Sequence, residues 1–155
     1  MNSSSVLIAN RGETSIRISR AASDLGLRTV AVHTEDDRAS LHTPLAGHAE
    51  VLAGVGAAAY LDIDAVIAAA QRAGCDAIHP EYGFLAERAD FAKRCIVAGL
   101  TLIGPKPEHL ALFGDKTAAR AAAASAGVPI IRGTDRTVSL AEAKAFFAGL
   151  GSGGP

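Results

Sequence analysis

The 155-residue sequence predicts an α/β fold in which a parallel β-sheet is covered by helices. Three observations predict it. Short unbroken apolar runs such as Val6-Leu7-Ile8-Ala9 have the look of strands buried on both faces, as parallel sheets require. The segments between such runs switch to helical spacing and stop at a glycine. The order strand, helix, glycine, strand then recurs, and parallel strands need a crossover of that kind between them.

Each element follows from its own pattern. Val6 to Ala9 is the first strand. Glu13 to Leu25 is a helix with Ile16, Ile18, Ala21, Ala22 and Leu25 at its apolar positions and Gly26 as its stop. Thr29-Val30-Ala31-Val32-His33 is the second strand, and Glu50-Val51-Leu52 is a weak third. Ile63 to Ala73 reads as an amphipathic helix ended by Gly74. Ala77-Ile78-His79 and Thr101-Leu102-Ile103 are two more strands, flanking a helix from Glu87 to Ala98 that stops at Gly99. Beyond Gly104-Pro105 the alternation ceases. Helices over Pro107 to Phe113, Lys116 to Ala126 and Leu140 to Leu150 surround one extended segment, Val128-Pro129-Ile130-Ile131. Gly151 to Pro155 is a glycine-rich run without a closing element.

Composition narrows the function classes. At 49% hydrophobic residues the chain can close the core of one domain. Fifteen Lys+Arg against 16 Asp+Glu leave a net charge of -1, with no basic surplus for a phosphate polyanion, so a nucleic-acid partner is not expected. Aromatic residues are only 5% and Trp is absent, which leaves little for stacking on bases or sugars. The longest apolar runs, such as Val66 to Ala70, are far short of a bilayer, so no membrane span is expected. Met1 to Ser5 lacks the charged start and apolar stretch of a signal peptide, and a cytoplasmic location is the expectation. Cys75 and Cys95 are too distant for a CxxC motif and too few for a disulfide framework, so both are expected as buried apolar side chains.

Three loops carry the polar chemistry. The first, Ala9-Asn10-Arg11-Gly12-Glu13, joins a parallel strand to a helix start, where free N–H groups and the helix dipole gather. Its single glycine does not meet the GxGxxG fingerprint, and a structural turn with Glu13 stabilising the helix start explains it equally well. The second is His79-Pro80-Glu81-Tyr82-Gly83-Phe84-Leu85-Ala86-Glu87, at the same sheet edge. Pro80 sets a turn, Gly83 admits close backbone approach, and Tyr82 and Phe84 supply flat apolar surface. His79 at a strand end reads as hydrogen-bonded scaffold before it reads as catalyst, and nothing near it has a metal-site spacing. The third is Gly114-Asp115-Lys116-Thr117, where Asp115 can cap the next helix and Lys116 can reach a phosphate. It lacks the GxxxxGK[ST] spacing of a Walker A loop, and a solvated lysine is the plain alternative.

In combination these pieces resemble the biotin carboxylase component of the biotin-dependent carboxylases. The resemblance rests on Ile8-Ala9-Asn10-Arg11-Gly12-Glu13, Ile16-Arg17, Asp37-Arg38, Leu41-His42, His79-Pro80 with Tyr82-Gly83-Phe84-Leu85, Phe91-Ala92, Gly99-Leu100, Ile103-Gly104-Pro105, Gly114-Asp115-Lys116 and Ala126-Gly127-Val128-Pro129. It runs in register from about Ser5 to Val138. It implies a Rossmann-like, pre-ATP-grasp sheet over residues 1–113, followed at 114–155 by the first helices of an incomplete ATP-grasp domain. It also implies an ATP-dependent ligase. In that family ATP and bicarbonate form carboxyphosphate, with magnesium bridging the phosphates, and biotin is carboxylated on a biotin carboxyl carrier protein or domain that works with a carboxyltransferase. Carried over residue by residue, Lys116 matches a nucleotide-contacting lysine, and Tyr82 and Gly83 match a turn lining the biotin pocket. Arg17, Arg20 and Asp24 match a face used for homodimerisation, with a solvated charged stripe as the alternative. The resemblance assigns no catalytic residue and no metal ligand to this stretch.

Two departures stand out. The family usually has Gly where this chain has Glu81, and Ser-Glu-Asn where it has Ala86-Glu87-Arg88. If a positive φ is needed at that point, Glu81 is strained and the biotin assignment weakens. The family's phosphate-covering glycine-rich loop and its magnesium, bicarbonate and biotin ligands lie beyond Pro155. The chain therefore reads as an N-terminal fragment that is inactive alone, from an acyl-CoA, pyruvate or urea carboxylase. A different reading is a stand-alone assembly module docking through Arg17, Arg20 and Asp24. A dinucleotide-binding domain is disfavoured, because His33 and Thr34 stand where an acidic residue would end the second strand.

Overall fold

The computed structural model describes residues 3–134 and 136–150, and the glycine-rich run at 151–155 lies outside them. The chain divides into two compact units, Met1–Ala111 and Leu112–Pro155.

The first unit is built on β1 (Ser5–Ile8), β2 (Arg28–His33), β3 (His48–Val51), β4 (Ala77–His79) and β5 (Thr101–Leu102). These strands form one sheet in the order β3-β2-β1-β4-β5. Every neighbouring pair is parallel, with Leu7 opposite Val30 on one side and Ile78 on the other. The parallel α/β sheet expected from the alternating pattern is therefore present. The crossovers are α1 (Gly12–Asp24), α4 (Ile63–Arg72) and α5 (Ala89–Val97). Two short helices, α2 (His42–Leu45) and α3 (Gly56–Tyr60), fill the long connections on either side of β3.

Side chains alternate between the two faces of β1, so each face has its own core. Leu7 joins Val30, Val32 and Ile78 against Val66, Ala69 and Ala70 of α4 and Phe91 and Cys95 of α5. Val6 belongs to a smaller cluster with Ala22 of α1, Ala77 and Leu27. Asp62 caps α4 by accepting from the Ala65 N–H at 3.0 Å, and Arg94 of α5 pairs with Asp64 of α4. Both cysteines are buried and unbridged. Burial pushes the Cys95 thiol up to about 12, which removes thiolate reactivity at neutral pH.

Differences from the sequence pattern have local causes. β3 begins at His48, ahead of the apolar run, because it is an edge strand whose residues are only partly covered. The helix expected from Glu87 starts at Ala89, since Arg88 takes an extended backbone and serves as the N-cap. α2 and α3, at four and five residues, are too short to register a helical period.

The division into units falls within α6 (Pro107–Gly114); the second unit continues through α7 (Lys116–Ser125) and α8 (Leu140–Ala148). Its helices are held at their starts. The Asp115 carboxylate accepts from the Thr117 and Ala118 N–H groups, and Ser139 with Glu142 forms a capping box on α8. Val128 to Ile131, expected to be extended, belongs to no strand of the sheet. Instead the Arg120 guanidinium donates to the Ile131 carbonyl at 3.0 Å. No described residue of α7 or α8 is buried. Among the described residues no helix is long and apolar enough to cross a membrane.

Leu7 lies on the central strand, fully buried, and belongs to the larger core. Leu7→Ala is expected to lower unfolding free energy by about 2–5 kcal/mol, read as a shift of the urea midpoint at unchanged slope.

Candidate functional site

Strand order reverses between β1 and β4, and in open parallel sheets the crevice beyond the carboxyl ends of such a pair is where ligands bind. The last backbone rung there is the Ala9 N–H donating to the His79 carbonyl at 2.9 Å. Beyond it the two strands part, one into Asn10-Arg11 and α1, the other into the turn Pro80 to Phe84.

The Asn10 side chain bridges the gap. It is 4% exposed, and its Nδ2 donates to the carbonyls of Pro80 and Tyr82, both at 2.9 Å. Its Oδ1 accepts from the Arg11 N–H at 2.8 Å. One carboxamide thus spans carbonyls two residues apart and defines the turn between them.

Glu81 is the residue in between, and its φ is 59°. The positive φ that the Gly-to-Glu departure put in question is real, and a non-glycine residue adopts it. Such a backbone costs on the order of 1–3 kcal/mol. Several contacts offset it. The Glu81 N–H donates to His79 Nδ1 at 3.0 Å, and with the two Asn10 bonds each contributes about 0.5–1.5 kcal/mol. Glu81 Oε1 pairs with Arg17 of α1 at 2.7 Å, while Oε2 is buried without a partner. Arg17 is 72% exposed, so solvent screens its side of that pair. The turn is held mainly by hydrogen bonds from the first loop and His79.

A second anchor grips the far end of the turn. Phe84, also at positive φ (42°), packs its ring on Tyr60 of α3 with centroids 5.2 Å apart. The Arg11 guanidinium lies 5.5 Å from the Tyr60 ring and 5.9 Å from the Phe84 ring. Arg11 also pairs with Asp37 at 2.8 Å, and the Tyr60 hydroxyl donates to the same carboxylate at 2.9 Å. The Arg11 hydrogen bond holds the Asp37 carboxyl below its ordinary value, and burial, with Asp37 beside it, pushes the Tyr60 phenol up. Loops following β1, β2, β3 and β4 are thereby tied into one cluster.

Two residues of the turn itself are open to solvent, Tyr82 and Gly83. Tyr82 is 65% exposed, with its hydroxyl donating to Glu13 of α1 at 3.3 Å and accepting from Thr14 Oγ1 at 3.4 Å. Gly83 is exposed, at φ +70°, with nothing within 4 Å of where a Cβ would sit. Together they offer an aromatic face beside bare backbone. His79 is engaged through Nδ1, and burial holds it below its ordinary value, so it is a neutral scaffold. Among the described residues no group of three or more His, Cys, Asp and Glu could hold a metal ion. The arrangement is equipped to bind and orient a ligand more than to move protons.

The other sequence-singled residues lie elsewhere. Arg17 is the only one of its trio joined to the turn; Arg20 and Asp24 are exposed further along α1. Lys116 is in the second unit, exposed at the first position of α7. Sequence reasoning quoted Asn10 and Arg11 only as a loop and missed Tyr60 entirely. In a chain with just two Tyr and five Phe, an isolated Tyr60 in an alanine-rich stretch was the available signal.

Residues 2–110 match the family model "Biotin carboxylase, N-terminal domain". The mitochondrial pyruvate carboxylase of Mus musculus is 51% identical over 145 residues, covering 91% of this chain and 12% of that protein. A solved biotin carboxylase domain of a single-chain bacterial carboxylase matches with a TM-score of 0.90 and 52% identity over 95% of this chain and 34% of its own. The biotin carboxylase domain dimer of Hydrogenobacter thermophilus 2-oxoglutarate carboxylase, in complex with MgADP, ADP and bicarbonate, matches with a TM-score of 0.90 and 37% identity over 97% of this chain and 34% of its own. The chain thus spans about a third or less of each of these proteins.

Acid sensitivity follows from the same contacts. Burial lowers His79 and His42 below 6.5, so below that pH the unfolded chain binds more protons than the folded one. Their contribution is complete above 6.5 and is lost as pH falls through the lowered folded values. The urea midpoint should drop between about pH 7.5 and about pH 5, a range in which carboxylates such as Asp37 stay ionised. The drop should shrink in His79→Gln.

Proposed function

The chain belongs to the biotin carboxylase N-terminal domain family, and on that premise we propose that it serves as the N-terminal part of a biotin-dependent carboxylase. In the complete enzyme ATP and bicarbonate supply the carboxyl group for biotin held on a carrier protein or domain, and a carboxyltransferase passes it on. The observation that carries this reading is the turn after β4. It is fixed on the sheet from Asn10 and Arg11, and it presents exposed Tyr82 and Gly83 at the switch point of a chain whose residues 2–110 match that family.

The proposed roles follow from what each group can do. Tyr82 covers the apolar face of the biotin bicycle, and Gly83 lets the ring approach the backbone. Lys116 meets an ATP phosphate as a compact cation. Asp115 already occupies the Thr117 and Ala118 N–H groups, so the charge that α7 offers there is the ammonium. Among the described residues no cluster of three or more His, Cys, Asp and Glu is placed to hold magnesium. Arg20 and Asp24, with Arg17, remain the proposed dimer face; the Arg17 pairing with Glu81 means that this face and the turn share a residue. The final acceptor is not a property of this stretch. Relatives named for pyruvate and for 2-oxoglutarate both match it over most of its length.

The 155-residue chain alone should show no bicarbonate-dependent ATP hydrolysis with free biotin, measured by phosphate release; turnover by the purified chain would sink the reading. In a complete carboxylase carrying these residues, Lys116→Ala should raise KM for ATP roughly tenfold or more, as expected for a lost charge-assisted hydrogen bond, with little change in KM for biotin.

A further inference from the structure

We propose that Asn10 is a positioning residue for biotin, acting through the turn it holds. The inference rests on the reading of Tyr82 and Gly83 as the biotin-lining turn, and adds the group that aims them. Every hydrogen-bonding capacity of the Asn10 amide that reaches the turn is spent on its shape: one nitrogen takes both the Pro80 and the Tyr82 carbonyl at 2.9 Å. The oxygen is tied back to the Arg11 N–H at 2.8 Å, so the amide cannot rotate to an alternative pairing without losing all three bonds. Asn10 is itself 4% exposed and stands next to the final β1–β4 rung.

The direction in which Tyr82 leaves the turn depends on Glu81 keeping its left-handed backbone, because Glu81 is the residue enclosed between the two bonded carbonyls. Nothing else ties both carbonyls: Arg17 holds only the Glu81 carboxylate, and His79 only the Glu81 N–H. Loss of the carboxamide leaves a non-glycine residue at φ 59° with its two flanking carbonyls released. The turn then has reason to relax to a negative φ, swinging Tyr82 away from the position that faces the ring.

The test uses a complete carboxylase carrying residues 1–155, with free biotin as the probe. Asn10→Ala should raise KM for biotin about tenfold, one factor of ten in affinity per 1.4 kcal/mol, while KM for ATP stays within about twofold. Asn10→Asp, which sets a carboxylate oxygen against two carbonyls, should be worse than Asn10→Ala. Adding Glu81→Gly to Asn10→Ala should recover part of the biotin KM, since glycine holds the left-handed backbone unaided. A general loss of packing would move both KM values together and would not be rescued by Glu81→Gly; that result overturns the proposal. Should Asn10→Ala not fold, Asn10→Ser, which keeps one short hydroxyl donor, replaces it in the same comparison, with a raised biotin KM at steady ATP KM expected and an unchanged biotin KM overturning the proposal. Tyr82→Ala separates the two layers. If it raises KM for biotin and Asn10→Ala does not, the positioning role falls while the biotin reading stands. If neither variant moves it, the biotin reading falls first.

Discussion

The whole upper edge of the sheet depends on one side-chain amide placed where β1 and β4 part. Parallel strands that diverge at a switch point leave backbone groups without partners, and buried unpaired carbonyls are costly. Asn10 supplies the missing donors from a side chain and so extends the ladder past its last backbone rung. From that bridge follow the backbone at Glu81, the placement of Tyr82 against Glu13 and Thr14, and the ion pair between the turn and α1.

Arg11, the next residue, completes the arrangement by a different force. Its guanidinium pairs with Asp37 and lies over Tyr60 and Phe84, so an electrostatic contact and two aromatic faces converge on one cation. The chain has few aromatic residues, and two of them meet here, Tyr60 at the end of α3 and Phe84 in the turn after β4. The usual opening of a switch-point crevice is thus occupied by the protein's own Asn10 and Arg11. A dinucleotide would meet those side chains there, while Tyr82 and Gly83 at the tip of the turn stay exposed.

The two units differ in what stabilises them. The first buries a continuous core on each side of its sheet. The second is made of capped helices that bury no described residue of α7 or α8 and leave Val128, Ile130, Ile131, Leu140 and Phe147 exposed. The Asp115 cap and the Ser139–Glu142 box satisfy the free N–H groups at the starts of α7 and α8. The family model covers residues 2–110, within the first unit, while the similarity to the carboxylase relatives extends over more than nine-tenths of the chain.

The amino-acid sequence by itself determined the alternating strands and helices, the parallel sheet, the buried cysteines and the family. Each of these is a consequence of local periodicity or of motifs read in register: the apolar run at Val6 to Ala9, the glycine stops at Gly26, Gly74 and Gly99, the Asp115 cap. It did not disclose α2 or α3, whose few residues contain less than the period needed to recognise them. It left Glu81 as a conditional difficulty and Asn10 as one residue of a turn. Only the tertiary structure decided those two, because the hydrogen bonds that define them join residues some seventy positions apart. A left-handed glutamate is unfavourable on any local scale. It becomes the stable choice once the parallel β1–β4 pairing places an amide from the first loop within reach of the carbonyls on both its sides.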